Sequence, residues 1–189
     1  KSWSDPKFNW STAQTAIFRT TWDYFDRFAE FSTWLEKTAK ETKLINTTEQ
    51  VLWNIDKHYF LDLENKGVNV PTTIFIEKGD KVTLAELHQK ANWEKTVLKP
   101  TVSGAARHTY KLTLETLSDH EDIFQELITN EAMMLQEFQE NILTKGEISL
   151  MMMGGKYTHA IIKKAKSGDF RVQDDFGGSV EEYFPTQNE

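Results

Sequence analysis

The chain has 189 residues, with 22 Lys+Arg against 29 Asp+Glu, a formal charge of −7 and no cysteine. That length makes one domain or two small ones and is enough to bury a core. The missing cysteines exclude a disulfide scaffold, a thiolate zinc site, an iron–sulfur cluster and a cysteine nucleophile. Net acidity argues against a nonspecific nucleic-acid binder, and no apolar run approaches the ~18–20 residues of a membrane span. The N-terminus, Lys1-Ser2-Trp3-Ser4-Asp5, has the pattern of neither a signal nor a transit peptide. With no initial Met, the chain is expected to be a processed or truncated product.

In chain order, residues 15–20 predict a short strand, being rich in β-branched and aromatic side chains. Phe28, Phe31, Leu35 and Ala39 recur at helical spacing and predict an amphipathic helix over 26–40. Residues 43–45 form a candidate short strand. Thr47 or Thr48 then caps a short helix, with Glu49 and Gln50 in its first turn. A further helix is expected over 56–66, stopped by Gly67. Strands are predicted at 72–76, 96–99 and 108–112, and helices over 83–91 and 119–130. Residues 133–138 predict another strand. The stretches 147–153 and 157–164 flank Gly154-Gly155, a strong hairpin signal. Residues 167–178 read as loop or edge structure and the acidic tail as frayed. The order is mixed α+β, with a boundary expected near Asn46 or at 67–71.

The charge is uneven. Residues 156–171 carry five cations and one anion, a local +4, which leaves −11 for the rest. Such a stretch either holds a small anionic ligand or is a solvated face. Metal and nucleophile motifs are missing: the five histidines are scattered, and there is no Gly-x-Ser-x-Gly elbow. Gly154-Gly155-Lys156 is not a Walker A loop, since Tyr157 stands where Ser or Thr would bind magnesium. The run Met151-Met152-Met153 is expected to be strand core.

Two features carry chemistry. Lys99 ends a predicted strand just before the small-residue loop Ser103-Gly104-Ala105-Ala106. A lysine beside a loop that brings backbone N–H groups close to a ligand suits a phosphate; the alternative is a strand-end lysine reaching solvent. Lys57 is expected at the start of a helix, where a cation opposes the macrodipole unless Asp56 offsets it.

These signals fall into a known order: Trp53-Asn54-Ile55-Asp56-Lys57, Pro71-Thr72-Thr73, Val97-Leu98-Lys99-Pro100 with its loop, Leu135-Gln136-Glu137-Phe138, Gly146-Glu147-Ile148-Ser149-Leu150, and Gly155-Lys156-Tyr157-Thr158-His159-Ala160. Gly168-Asp169-Phe170-Arg171-Val172-Gln173 and Gly177-Gly178 follow, and Arg19-Thr20-Thr21-Trp22-Asp23-Tyr24 fits an N-terminal signature. From about Trp3 to Gly178 the chain resembles ATP-grasp proteins of the prokaryotic glutathione synthetase-like group, near ligases of cycloserine-type substrates.

The resemblance implies an α+β (α/β) ATP-grasp fold, two lobes clasping ATP, with part of an N-terminal pre-ATP-grasp domain. It places a partial substrate domain at 1–46, linker helices and the small lobe at 47–130, and the start of the large lobe at 131–189. It implies that Lys57 and Lys99 contact the ATP phosphates. Ser103, Gly104 and Ala105 belong to the loop that closes over them. Gln136, Glu137 and Phe138 form the hinge whose backbone reads the adenine edge, and Glu147 lies near the ribose. Lys163 and Arg171 serve the transferred phosphate and the acyl substrate, while Arg19 and Asp23 face the site from the N-terminal domain. The implied enzyme is a cytoplasmic, magnesium- and ATP-dependent ligase. It joins a small-molecule carboxylate to an amine through an acyl phosphate, with no nucleic acid or membrane partner, and a homodimer is the default assembly. The alternatives are a nucleotide-binding or regulatory module without turnover, or a small-molecule kinase on the same fold. The family's metal pair, a Glu-x-Asn, would follow Gly178 and is not found. Asp174 and Asp175 lie too early, so metal ligands stay unassigned. The chain is expected to be an internal piece of a longer protein.

Overall fold

In the computed structural model, which describes residues 1–186, the chain divides into two units, Lys1–Glu137 and Phe138–Glu189. In the first unit, β1 (Thr15–Ile17) and β2 (Lys43–Ile45) pair in parallel, Ala16 opposite Leu44. A parallel pair needs a crossover, and α1 (Phe28–Glu41) supplies it. Phe31, Leu35 and Thr38 fall on one face of α1 at helical spacing and are buried. Phe31 and Leu35 pack with Trp3 and Leu44 into a small aromatic core.

Thr47 then caps α2 (Thr48–Ile55), accepting from the Gln50 N–H at 3.3 Å. α3 (Tyr59–Asn65) is shorter than the helix predicted over 56–66, because residues 56–58 form a link after the C-cap Asp56 of α2. Lys57 therefore sits between two helices, just past the C-cap of α2, where the macrodipole favours a cation, and just ahead of His58, the N-cap of α3, where it opposes one. Next come β3 (Thr73–Ile76) and α4 (Leu84–Ala91), the latter opened by a reciprocal Thr83–Glu86 capping box. β4 (Lys95–Pro100), β5 (Tyr110–Thr113), α5 (Leu117–Asn130) and β6 (Met133–Glu137) complete the unit. The strand predicted at 108–112 starts two residues late, because His108 has φ 47° and cannot extend a strand.

β3, β6, β4 and β5 form an antiparallel sheet in the order β3-β6-β4-β5. Register assigns its two faces. Leu98 lies opposite Tyr110 and Leu135, and Thr96 opposite Leu112. This face packs on Leu84, Leu87, Phe124, Leu127 and Ile128 of α4 and α5 to make the main core. The alternate residues, Val97, Lys99, Lys111, Met134 and Gln136, share the other face. Pro100 is tolerated in a central strand because β5 pairs with β4 only as far as Leu98.

His88 is 2 % exposed, with Nδ1 3.1 Å from the Trp93 carbonyl and Nε2 3.0 Å from Thr96 Oγ1. Burial lowers its pKa, partly opposed by the Trp93 carbonyl. The unfolded chain therefore takes up a proton at a pH where the folded chain does not. Stability should be unaffected above about pH 6.5 and fall below it, with a slope of up to roughly 1.4 kcal/mol per pH unit from this group. Urea titrations between pH 5 and 8 measure the slope, and His88→Gln should remove this component.

The second unit opens with α6 (Asn141–Thr144). An antiparallel sheet follows, ordered β7 (Glu147–Met153), β8 (Lys156–Lys164) and β9 (Ser179–Tyr183). Gly154 and Gly155 have φ of 57° and 77°, the left-handed pair a two-residue hairpin turn requires. Two expectations fail in this unit. Met152 and Met153 are 58 % and 64 % exposed and are not strand core, although they lie in β7. Much of the acidic tail, expected to fray, is β9, paired to β8 with Val180 opposite Lys163; residues 187–189 lie outside the described residues.

Candidate functional site

Lys99 and Lys111 stand on the sheet face turned away from the helices. Two residues beyond Lys99 the chain leaves β4 and enters the loop ahead of β5. Lys57 is tied to that exit. Its backbone N–H donates to the Thr101 carbonyl at 3.0 Å, and its Nζ donates to the carbonyls of Thr101 (3.2 Å) and Ser103 (3.0 Å). Burial pushes the Lys57 ammonium down from its usual pKa, and the neighbouring Asp56 carboxylate opposes the shift. The link is braced by His58, whose ring stacks on Phe75 at 4.3 Å. Its nitrogens lie 2.6 Å from Asp56 and 3.1 Å from Glu77. Lys57 and the loop after Lys99, some forty residues apart in sequence, are thus joined directly.

The loop has an unusual backbone. Ala105, Ala106 and His108 have φ of 50°, 55° and 47°, in the left-handed region. Such conformations cluster where a backbone must face a ligand. Ala105→Gly and Ala106→Gly should each stabilise the fold by about 0.5–1 kcal/mol. The relief of roughly 1–2 kcal/mol of left-handed strain exceeds glycine's added unfolded-state entropy. Thermal melts of the single and double variants check this. Gly104 is a glycine for another reason: a Cβ there would lie 2.8 Å from the Phe25 ring.

Arg107, which no sequence motif singled out, clamps the loop. It donates from Nη1 and Nη2 to the two oxygens of Glu131, each at 2.8 Å, and its Nε lies 3.2 Å from Asp26. The bidentate geometry is the strong form of this pair. Phe25, Asp26, Thr101, Arg107 and Glu131 line a cavity of about 410 Å³ beside the loop. A lone arginine in a small-residue loop carries no sequence signal for this role, since both its partners are distant in the chain.

Gln136 and Glu137 end β6, and the division between the units falls just after Glu137. Gln136 is buried, its Nε2 donating to Thr73 Oγ1 at 2.9 Å. Phe138 packs edge-on to Phe170, 5.9 Å between centroids, within the second unit.

Within that unit, Glu147 and Lys163 lie directly opposite across β7 and β8 and pair at 3.0 Å. Lys164 pairs with Glu181 at 2.8 Å. Arg171 donates to Asp169 from Nη2 at 2.7 Å, and its guanidinium stands 3.7 Å over the Phe176 ring. Hydrogen bonds from the Arg171 side chain hold the Asp169 carboxyl well below the usual carboxylate range. Three of the five cations of the basic stretch are thus matched by acids, two of them, Glu147 and Glu181, from outside it. The two acids from outside halve the local +4.

Arg19 and Asp23 line one cavity of about 720 Å³, which opens beside β1 in the first unit. Asp23 accepts from Trp3 Nε1 at 2.7 Å and from Arg27 Nη1 at 3.0 Å. The hydrogen bond from Trp3 leads in lowering its pKa. Among the described residues no group of three or more His, Asp or Glu is placed to hold a metal ion, and no helix is long and apolar enough to cross a membrane.

Comparisons with known proteins bear on the fold. Residues 1–46 match the family described as the N-terminal domain of D-cycloserine synthetase DcsG. The cycloserine biosynthesis protein DcsG of Streptomyces lavendulae is 31% identical over 169 residues, covering 86% of this chain and 56% of that protein. The chain thus spans little more than half the length of the curated relative it matches. A crystal structure of D-cycloserine synthetase DcsG superposes with a TM-score of 0.84 at 27% identity, covering 96% of this chain and 64% of the other. The ATP-grasp ligase PsnB, solved with a phosphomimetic variant of its minimal precursor, Mg and ADP, superposes with a TM-score of 0.59. It is 15% identical and shares the fold over 93% of this chain and 59% of its own.

Proposed function

We propose that this chain, which has the ATP-grasp fold and is similar to the cycloserine biosynthesis protein DcsG, belongs to the cycloserine-ligase-like group of that family, binds ATP on the lysine-bearing face of its first-unit sheet and serves an ATP-dependent carboxylate–amine ligase. One observation carries the reading: Lys57 is hydrogen-bonded to the carbonyls of the loop that begins two residues after Lys99. That ties one cation to the start of a loop that follows the other and that turns left-handed at Ala105, Ala106 and His108, a combination suited to a polyphosphate.

In this reaction the γ-phosphoryl of ATP passes to a carboxylate oxygen, giving an acyl phosphate and ADP. An amine then attacks the acyl carbon and displaces phosphate, giving the amide. Lys99 and Lys57 stabilise the charge that spreads over the phosphoryl oxygens. The backbone of Ser103, Gly104 and Ala105 closes on the phosphates. Gln136, Glu137 and Phe138 present the adenine-reading backbone, and Glu147 serves the ribose. Lys163 and Arg171 meet the transferred phosphate and the acyl group, while Arg19 faces the acid and Asp23 orders the wall beside it. Residues 1–46 act as the substrate domain, 47–130 as linker and small lobe, and 131–189 as the start of the large lobe. Magnesium, a cytoplasmic site of action and a homodimeric assembly complete the reading.

A nucleotide-binding module without turnover is the second reading. The pairing of Lys163 with Glu147 and of Arg171 with Asp169 favours it, because both cations are already neutralised. ADP release by the full-length protein, measured with a panel of acids and amines, separates the two. Turnover that requires both an acid and an amine supports the ligase. ATP binding without ADP release in any pair supports the module, and a phosphoester product would mean a kinase.

A further inference from the structure

The 720 Å³ cavity beside β1 has walls that specify more than a generic substrate. Its volume is in the range of about 300–1,000 Å³ that encloses drug-sized ligands, far more than a small amino acid fills. Trp3, Phe8, Trp10, Phe18 and Trp34 all line it. These rings brace one another: Phe8 and Trp10 are 4.8 Å apart, Trp10 and Trp34 5.2 Å, and Phe18 and Trp34 6.0 Å, each pair edge-to-face. Rings packed on one another in this way offer an apolar body a preformed wall.

The charge of the lining is equally selective. Lys1 and Arg19 supply cations, and Asp23 is the one acid. Both oxygens of Asp23 already accept hydrogen bonds, from Trp3 and from Arg27. An incoming ammonium would have to share that carboxylate with Trp3 and Arg27, whereas a carboxylate finds in Arg19 a guanidinium suited to bidentate pairing. The cavity is also coupled to the phosphate-side loop by a very short stretch of chain. Asp23 lines the cavity, Phe25 abuts Gly104, and Asp26 pairs with Arg107.

We infer that this cavity takes the acid substrate, and that the acid is a monocarboxylate with an aromatic or bulky apolar body and no free ammonium group near its carboxylate. The inference rests on the ligase reading for the acid's role and on the cavity alone for its chemistry. Arg19 holds the carboxylate at the mouth, and the five rings enclose the body.

The test uses the full-length protein without nucleotide, following tryptophan fluorescence and calorimetry with three probes: 3-phenylpropanoate, its neutral amide 3-phenylpropanamide, and D-alanine. The acid should bind at least about tenfold more tightly than either other probe. Arg19→Gln should weaken it by about tenfold or more, the loss of one charge-assisted pair, and Arg19→Lys should restore part of that. Trp10→Ala should weaken acid and amide alike. Equal binding of acid and amide, tighter binding of D-alanine, no binding of the acid, or an Arg19→Gln variant of unchanged affinity and unchanged circular dichroism would each overturn the inference. A parallel titration with ATP separates the two readings. A protein that binds ATP but ignores the acid overturns this inference alone. One that binds the acid but not ATP overturns the ligase reading and with it the role of this acid as substrate.

Discussion

Lys99→Met in the full-length protein is expected to lower kcat/KM for ATP by about 10²–10³, the usual loss when one preorganised cation or donor is removed from a charge-stabilising site. The melting temperature should stay within a few degrees of wild type. The reason lies in the register. Lys99 is opposite Met134 on the sheet face turned away from α4 and α5, so its replacement leaves the main core intact. Lys57→Met should be less selective. Its Nζ is bound to the Thr101 and Ser103 carbonyls, so the variant loses loop placement and leaves those acceptors short of a donor. Steady-state ADP release, read beside thermal melts of the three proteins, distinguishes the two patterns.

Phe124→Ala should do the reverse. Phe124 is fully buried in the core between α5 and the helix-side face of the sheet. Emptying that site should cost about 3–5 kcal/mol, a transfer loss plus a cavity that the packed neighbours cannot collapse into. Denaturant unfolding measures it. At temperatures where the variant remains folded, its KM for ATP should be near wild type, because the lysine-bearing face is on the far side of the strands. A large KM change at full folding would mean that the two faces are not independent. Together the two variants ask whether one side of this sheet holds the fold and the other side serves the ligand.

Much of this was legible from local pattern. Helical spacing of Phe28, Phe31, Leu35 and Ala39 located α1 to within two residues, and Thr47 or Thr48 marked the start of α2, where the cap is Thr47. Gly154-Gly155 marked the β7–β8 turn for a stereochemical reason that needs no tertiary context. The failures share a cause, dependence on partners distant in sequence. The methionines of β7 have the composition of a buried strand, but composition does not reveal which strands acquire a covering layer, and Met152 and Met153 remain exposed. The final strand is too polar to predict; it exists because β8 offers it a paired edge. His108 was assigned to a strand by its β-rich neighbours, whereas the Arg107 clamp holds the preceding loop in left-handed turns.

At the candidate site, the sequence picked out Lys57, Lys99 and the small-residue loop, but not the hydrogen bonds that unite them. It was silent on Arg107, Phe25 and Trp3, whose roles exist only through Glu131, Gly104 and Asp23. It also overstated the basic stretch near the C-terminal end. Glu147 and Glu181, distant in sequence from the lysines they neutralise, become their neighbours only once β7, β8 and β9 have paired.

The central claim, that the lysine-bearing face and its loop form an ATP site, is tested most directly by calorimetric titration of the full-length protein with magnesium-ATP, wild type beside Lys99→Met. Saturable binding by wild type, weakened about tenfold or more in a variant that melts normally, is the predicted result. No binding by folded wild type, or the same affinity in both proteins, would contradict it.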